Sequence, residues 1–180
     1  MLLTDNEIDD ILFFWFPNQK YNKFWFENNI DFDIIIKNKY KDLMIKVFEN
    51  IKDFDIIDMT SNELVAIIIL LDQFSRNINR TNYECNQNKI YSTLIDNNFN
   101  ILKMTEEARR LSKYWIEKEY YLTEPINKTV FALMPLRHLN KLHDYKIILN
   151  ILDKIQDKKD DEIYVKFKNQ TVRRKELLMD

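Results

Sequence analysis

Asp72, Arg76 and Arg80 recur at steps of four in ELVAIIILLDQFSRNINR (63–80), directly after an apolar run that can only be buried. On a continuous helix they form a ladder of one carboxylate and two guanidiniums. Two arginines can grip a phosphate or carboxylate bidentately, and the amides of Gln73 and Asn77 add donors beside them. The same residues also suit a buried polar clasp, because structural ion-pair networks imitate sites. The clasp is the preferred reading for Asp72; the two arginines stay open to a ligand.

Other residues extend the candidate site. His138 follows Pro135-Leu136-Arg137 at an expected helix break, where an imidazole could serve Asp72 as an acid/base partner or simply be hydrogen-bonded. Asp72 and His138 are therefore the candidate catalytic pair, and Trp25, Gln73, Arg76, Asn77, Arg80 and Arg137 the candidate ligand-binding set. Trp15 and Trp25 could form an aromatic cleft, although aromatics at helical spacing usually pack in a core. His138 and His143 are five apart and do not share a helix face, so no zinc pair is expected. Cys85 is the only cysteine; nothing obvious lowers its pKa, and it can form neither an internal disulfide nor a cysteine zinc site. Neither metal nor cofactor is expected.

The elements that must position these groups read as helices. Thr4 and Glu7 have capping-box spacing ahead of Ile8, Ile11, Leu12 and Trp15, and Pro17-Asn18 stops that helix. Asp31 can cap a long helix carrying Phe32, Ile36, Tyr40, Leu43, Val47 and Ile51. Thr60 and Glu63 repeat the box before Leu64–Phe74, which is apolar nearly all round and should be the central helix. Further helices are expected over Glu84–Asn97, from Thr105, over Lys128–Met134 up to Pro135, and along Leu142, Tyr145, Leu149, Leu152 and Ile155. No segment alternates convincingly as a strand. The chain is expected to be one all-α domain over 1–156, an antiparallel helical array or irregular bundle. A charged segment over 157–180 is expected to be extended or disordered.

Composition excludes several functions. With no glycine, neither GxGxxG nor GxxxxGK phosphate loops can exist, and helix ends must use Asn or other polar residues in left-handed conformation. Abundant Ile, Lys, Asn, Tyr and Phe beside scarce Gly, Ala and Pro fit an AT-rich genome. A net charge of -2 argues against a whole-protein nucleic-acid binder. RNA is expected, if anywhere, on the basic tail of Lys166, Lys168, Arg173, Arg174 and Lys175. The longest apolar run, Leu64–Leu71, is well short of the ~20 residues that span a bilayer. The acidic start MLLTDNEIDD lacks a signal-peptide pattern, so a cytoplasmic location is expected, in a host cell if the gene is viral.

LLDQFSRNINR resembles the LLDQFPRNIFRGT pattern of an uncharacterised, tetratricopeptide-like helical family, domain of unknown function 924. Leu70–Ile78 follow that pattern except at Ser75, which stands for Pro, and Arg80 matches too; Asn79 stands for Phe and Thr81 for Gly. FFWF (13–16), Trp25-Phe26 with Phe32-Asp33, and FALMPLRH (131–138) resemble further blocks of that family. In the last block Arg137 stands where the family usually has Glu. The resemblance implies a tetratricopeptide-like all-α fold and brings no established activity or cofactor; the family's Pro implies a helix end near Phe74. It covers roughly Ile11 to Asn140. The function expected is a non-enzymatic helical module whose cleft takes a small anion or acidic peptide. The alternative is an enzyme for a phosphorylated or carboxylated substrate, using Asp72 and His138.

Overall fold

The computed structural model describes residues 2–18, 21–87 and 100–179. Both capping boxes form. Thr4 Oγ1 accepts from the Glu7 amide at 3.3 Å while Glu7 Oε2 accepts from the Thr4 amide at 2.7 Å, and Thr60 and Glu63 repeat the pair at the same distances. They start α1 (Asp5–Trp15) and α3 (Ser61–Ile68). The long α2 (Ile30–Asn50) begins earlier than expected: Asn29, not Asp31, supplies the cap, its Oδ1 accepting from the Phe32 amide at 3.1 Å. Asp31 then sits in the first turn, where its charge favours the helix dipole.

The central rod does not end at Phe74. α3 runs into a π-helical segment (Ile69–Phe74) and on without a break into α4 (Ser75–Gln87). A π segment disturbs the regular carbonyl ladder and often marks a site. Ser75 answers this locally: its hydroxyl lies 2.7 Å from the Leu71 carbonyl and 3.2 Å from that of Asp72. A proline at 75 would have no amide and no hydroxyl; with serine the helix continues. Most of the expected helix over Glu84–Asn97 falls outside the described residues, as does the side chain of Cys85.

α5 (Ile101–Glu117) follows an Asn100 cap and starts four residues before Thr105, so Thr105 is an interior position facing the core. α6 (Ile126–His138) passes through Pro135 instead of stopping at it. Proline in the final turn has no amide to donate to the Phe131 carbonyl four residues back, so the helix passes it with one ladder bond missing. The consequence is functional: Arg137 and His138 occupy that last turn. The helix ends are managed without glycine. Glu119 after α5 and Asn140 after α6 take positive φ, 54° and 51°. The Tyr145 hydroxyl lies 3.0 Å from the Arg137 carbonyl and 2.8 Å from Asn140 Oδ1, which helps seal that end.

α7 (Leu142–Lys154) is followed by α8 (Glu162–Glu176). The segment from 157, expected to be extended or disordered, is thus mainly helical and packed. Ile163, Tyr164, Phe167 and Thr171 bury one face of α8 against α6 and α7, while Lys166 and Lys168 lie over the rings of Tyr21 and Tyr164. Charge in that segment decorates an amphipathic helix rather than preventing one. Among the described residues there is no strand. The chain is a single all-α domain around one core, and its middle is the α3–π–α4 rod, touched by α1, α2, α5 and α6. Trp15, Phe74 and Phe131 meet edge to face at 5.4–5.5 Å around Trp15 in that core. Among the described residues no helix is long and apolar enough to cross a membrane.

Candidate functional site

Asp72 lies in the π segment with no exposed surface, and four side chains converge on it. Gln73 Nε2 donates to Oδ2 at 2.6 Å and Arg76 Nε to Oδ1 at 3.2 Å. His138 Nδ1 lies 2.8 Å from Oδ2 and 2.9 Å from Oδ1, reaching across from α6. Thr105, on α5, completes the ring: its hydroxyl donates to Oδ1 at 3.4 Å and accepts from Arg76 Nη2 at 3.0 Å. One carboxylate thus gathers the central rod, α5 and α6.

The electrostatics follow from this crowding. Burial alone would raise the Asp72 pKa, but the imidazole of His138 and the guanidinium of Arg76 outweigh it and hold the carboxyl below its usual range. An ionised carboxylate only accepts, so the facing Nδ1 of His138 carries its proton. Burial pushes the His138 pKa down; Asp72 opposes this, and the charges of Arg76 and Arg137 reinforce it. His138 is therefore neutral at pH 7, with Nε2 as a lone-pair nitrogen. The imidazole keeps 17% of its surface and the Arg76 side chain 31%, so the outer edges of both reach solvent while the carboxylate does not.

The other predicted residues go elsewhere. Arg80 leaves Asp72 and clamps Asp33 of α2 with two bonds of 2.7 Å. Trp25 is buried in the aromatic core, its indole N–H donating to the Trp15 carbonyl at 2.9 Å. Asn77 is buried on α4. Arg137 is 5% exposed, lies 4.7 Å from the Phe167 ring centre, and donates from Nη1 to Gln170 Oε1 at 3.0 Å and from Nη2 to Met134 Sδ at 2.8 Å. Among the described residues its Nε has no partner and no carboxylate pairs with it. Burial, and then the charge of Arg174, push its pKa down to about 10, which still leaves it cationic at pH 7.

Sequence reading missed Thr105, because its helix was started too late, and missed the Arg109–Asp144 pair, whose partners lie 35 residues apart at 2.5 and 2.7 Å. The Arg80–Asp33 clamp had a trace in the sequence, since Phe32-Asp33 is one of the blocks resembling the family. On the basic tail, Lys166 and Lys168 are already engaged with Glu162 and Asp153, while Arg173 and Arg174 are exposed. Among the described residues no three His, Cys, Asp or Glu side chains gather as a metal site would need.

No curated protein and no solved structure shows a match to this chain. Residues 11–178 match the profile of a family described as bacterial proteins of unknown function. The match reaches past Lys158 and takes in α8, so the family's likeness does not stop near Asn140. Nearly the whole described fold falls within it, and the chain belongs to that family, DUF924.

Proposed function

We propose that the chain is a tetratricopeptide-like helical binding module of the cytoplasm that takes an anionic group, a small anion or an acidic peptide side chain, at the outer edge of Arg76 and His138. The supporting observation is a local surplus of positive charge. Arg76, Arg80 and Arg109 each pair with an aspartate, whereas the buried Arg137 has none among the described residues and adds its field beside His138. Arg76 spends Nε on Asp72 and Nη2 on Thr105, which leaves Nη1 for a ligand, and His138 offers Nε2. The array-like fold is supported by α6 contacting both α7 and α8, as successive helices in a solenoid do. A lone cysteine suits a reducing compartment.

Calorimetric titration with inorganic phosphate and with hexaglutamate tests the reading, together with NMR titration of His138. Binding should be saturable and weakened by Arg76→Gln and by Arg137→Met. Because a bound anion favours imidazolium, it should also raise the His138 pKa. Absence of saturable binding, or binding that neither variant changes, refutes it.

A second reading rests on the contact between Asp72 and Nδ1 of His138, which orients an imidazole as a general base does, with Nε2 outward. Diethyl pyrocarbonate should then acylate His138 in a His143→Gln protein. If His138 stays unmodified, Nε2 is closed to substrates and the enzyme reading is lost.

A further inference from the structure

A cavity of about 260 Å³ opens where the chain following α1 meets α8, lined by Tyr21, Phe26, Lys166, Phe167 and Gln170. Its walls are aromatic. The Tyr21 and Phe26 rings stack at 5.9 Å and 14°, and Phe26 leaves 39% of its surface exposed. Its volume lies just under the ~300–1,000 Å³ of ordinary ligand pockets, which suits a body of one ring or a short chain.

The polar groups of that lining all present protons. Lys166 Nζ donates to Tyr21 Oη at 2.9 Å and sits 4.1 Å from the ring centre, so the tyrosine oxygen is used as an acceptor and its own O–H is left to donate. Gln170 Oε1 is taken by Arg137 Nη1 at 3.0 Å, an orientation that leaves the amide N–H groups of Gln170 free. Lys166 keeps a third N–H beyond Tyr21 and Glu162. Behind Gln170 stands the cation of Arg137, with no carboxylate of its own among the described residues. Glu162 lies 2.7 Å from Lys166 in an exposed pair, with which a carboxylate ligand must share or exchange the ammonium; such exposed pairs are worth little, so the exchange costs little. A lining of apolar rings with three donor groups and a buried cation behind complements an apolar body ending in one anionic acceptor.

We infer that this cavity is a binding site for a small carboxylate with an apolar or single-ring body. The carboxylate meets Lys166, the Tyr21 hydroxyl and the Gln170 amide, and the body lies against Phe26 and Phe167. This site is separate from the edge of Arg76 and His138; the two share only the background field of Arg137.

The test is titration of the full chain with benzoate, benzamide and benzylammonium, followed by calorimetry and by the ring resonances of Tyr21, Phe26 and Phe167. Benzoate should bind saturably and at least about tenfold tighter than benzamide, the difference a charge-assisted contact makes. Benzylammonium should not bind. Lys166→Met should lower benzoate affinity about tenfold and leave benzamide unchanged, and Phe26→Ala should weaken both. Both residues are exposed, so unaltered melting midpoints will show that the variants fold. Arg76→Gln, which disables the other site, should leave benzoate binding as it was. Equal binding of benzoate and benzamide, indifference to Lys166→Met, or no saturation by about 10 mM would each overturn the assignment.

Discussion

Replacing Arg137 by methionine should make the free protein more stable, not less. The guanidinium is 5% exposed and its pKa is pushed down to about 10, chiefly by burial and then by Arg174. A guanidinium held that far below its ordinary value carries a penalty of roughly 3 kcal/mol in the folded state at neutral pH. Two favourable contacts oppose this: a hydrogen bond to the neutral Gln170 amide, and the stack on Phe167, about 1 kcal/mol each. Methionine keeps an unbranched stem against Phe167 and removes the charge. The expected gain is roughly 1 kcal/mol, or about 2–4 °C in melting midpoint. The sign with pH follows from the lowered pKa of a base. The group is charged in both states at pH 7, so its penalty is fully present there and fades only as pH rises above about 10. The gain should therefore be constant across neutral pH. Urea unfolding of both proteins, with the m-value unchanged, measures it. A loss of stability of about 1 kcal/mol or more would refute the reasoning and make Arg137 a structural bridge between α6 and α8.

Asp72→Asn leaves the part-exposed Arg76 and the neutral His138 around a neutral amide, and should cost about 1.5–3 kcal/mol in urea unfolding; a loss under about 1 kcal/mol would show that the ring does not hold the three helical elements together. Burial keeps His138 unprotonated while the unfolded chain takes up a proton as pH falls through about 6.5, so stability should decline below that pH and level off once the folded imidazole also charges. Asp72, whose pKa is lowered, adds a second loss only below about pH 4. His138→Gln should flatten the first decline in urea midpoints and leave the loss at lowest pH to the remaining carboxylates. A double-mutant cycle of Asp33→Asn with Arg80→Gln should return a coupling of about 1–3 kcal/mol, discounted because the arginine side chain is 35% exposed, with anion binding unaffected.

Local signals told most where a side chain closes on its own backbone. The two capping boxes formed where Thr4-Glu7 and Thr60-Glu63 placed them, because both partners lie within one turn. Starts failed where a competing cap lay just upstream: Asn29 took the role expected of Asp31, and Asn100 started α5 before Thr105. Stops failed where serine stands for the family's proline at 75, its Oγ on the Leu71 carbonyl, and where α6 continues through Pro135 with one ladder bond missing. In the C-terminal segment the charges distracted from Ile163, Tyr164, Phe167 and Thr171, whose spacing of one, three and four is helical. Within the site, the i,i+4 pair of Asp72 and Arg76 was legible; its partners at 105 and 138 were not, since pairing across 33 and 66 residues depends on how helices pack. Arg80 shows the limit of periodicity, sharing the ladder's spacing and answering to α2 instead.

The occupancy of Asp72 decides what any chemistry here can use. Its two oxygens accept from Gln73, Arg76, Thr105 and His138, and it has no exposed surface. A carboxylate so engaged is a poor proton acceptor for a substrate, since taking a proton would break several charge-assisted bonds in a low-dielectric interior. Asp72 is therefore an orienting group, whichever function the chain serves. The atoms left over are Nη1 of Arg76 and Nε2 of His138, both turned from the carboxylate that anchors them. A donor of fixed charge beside a neutral imidazole suits an incoming anion that brings a proton with it. Arg137 biases the same edge: its positive charge disfavours imidazolium in the free protein, and a bound anion offsets that field. Ligand uptake and proton uptake at His138 are thus expected to be coupled, so anion affinity should rise as pH falls toward about 6. A purely structural clasp would show no such dependence, and titration with sulfate, whose charge is constant over this range, at several pH values separates the two.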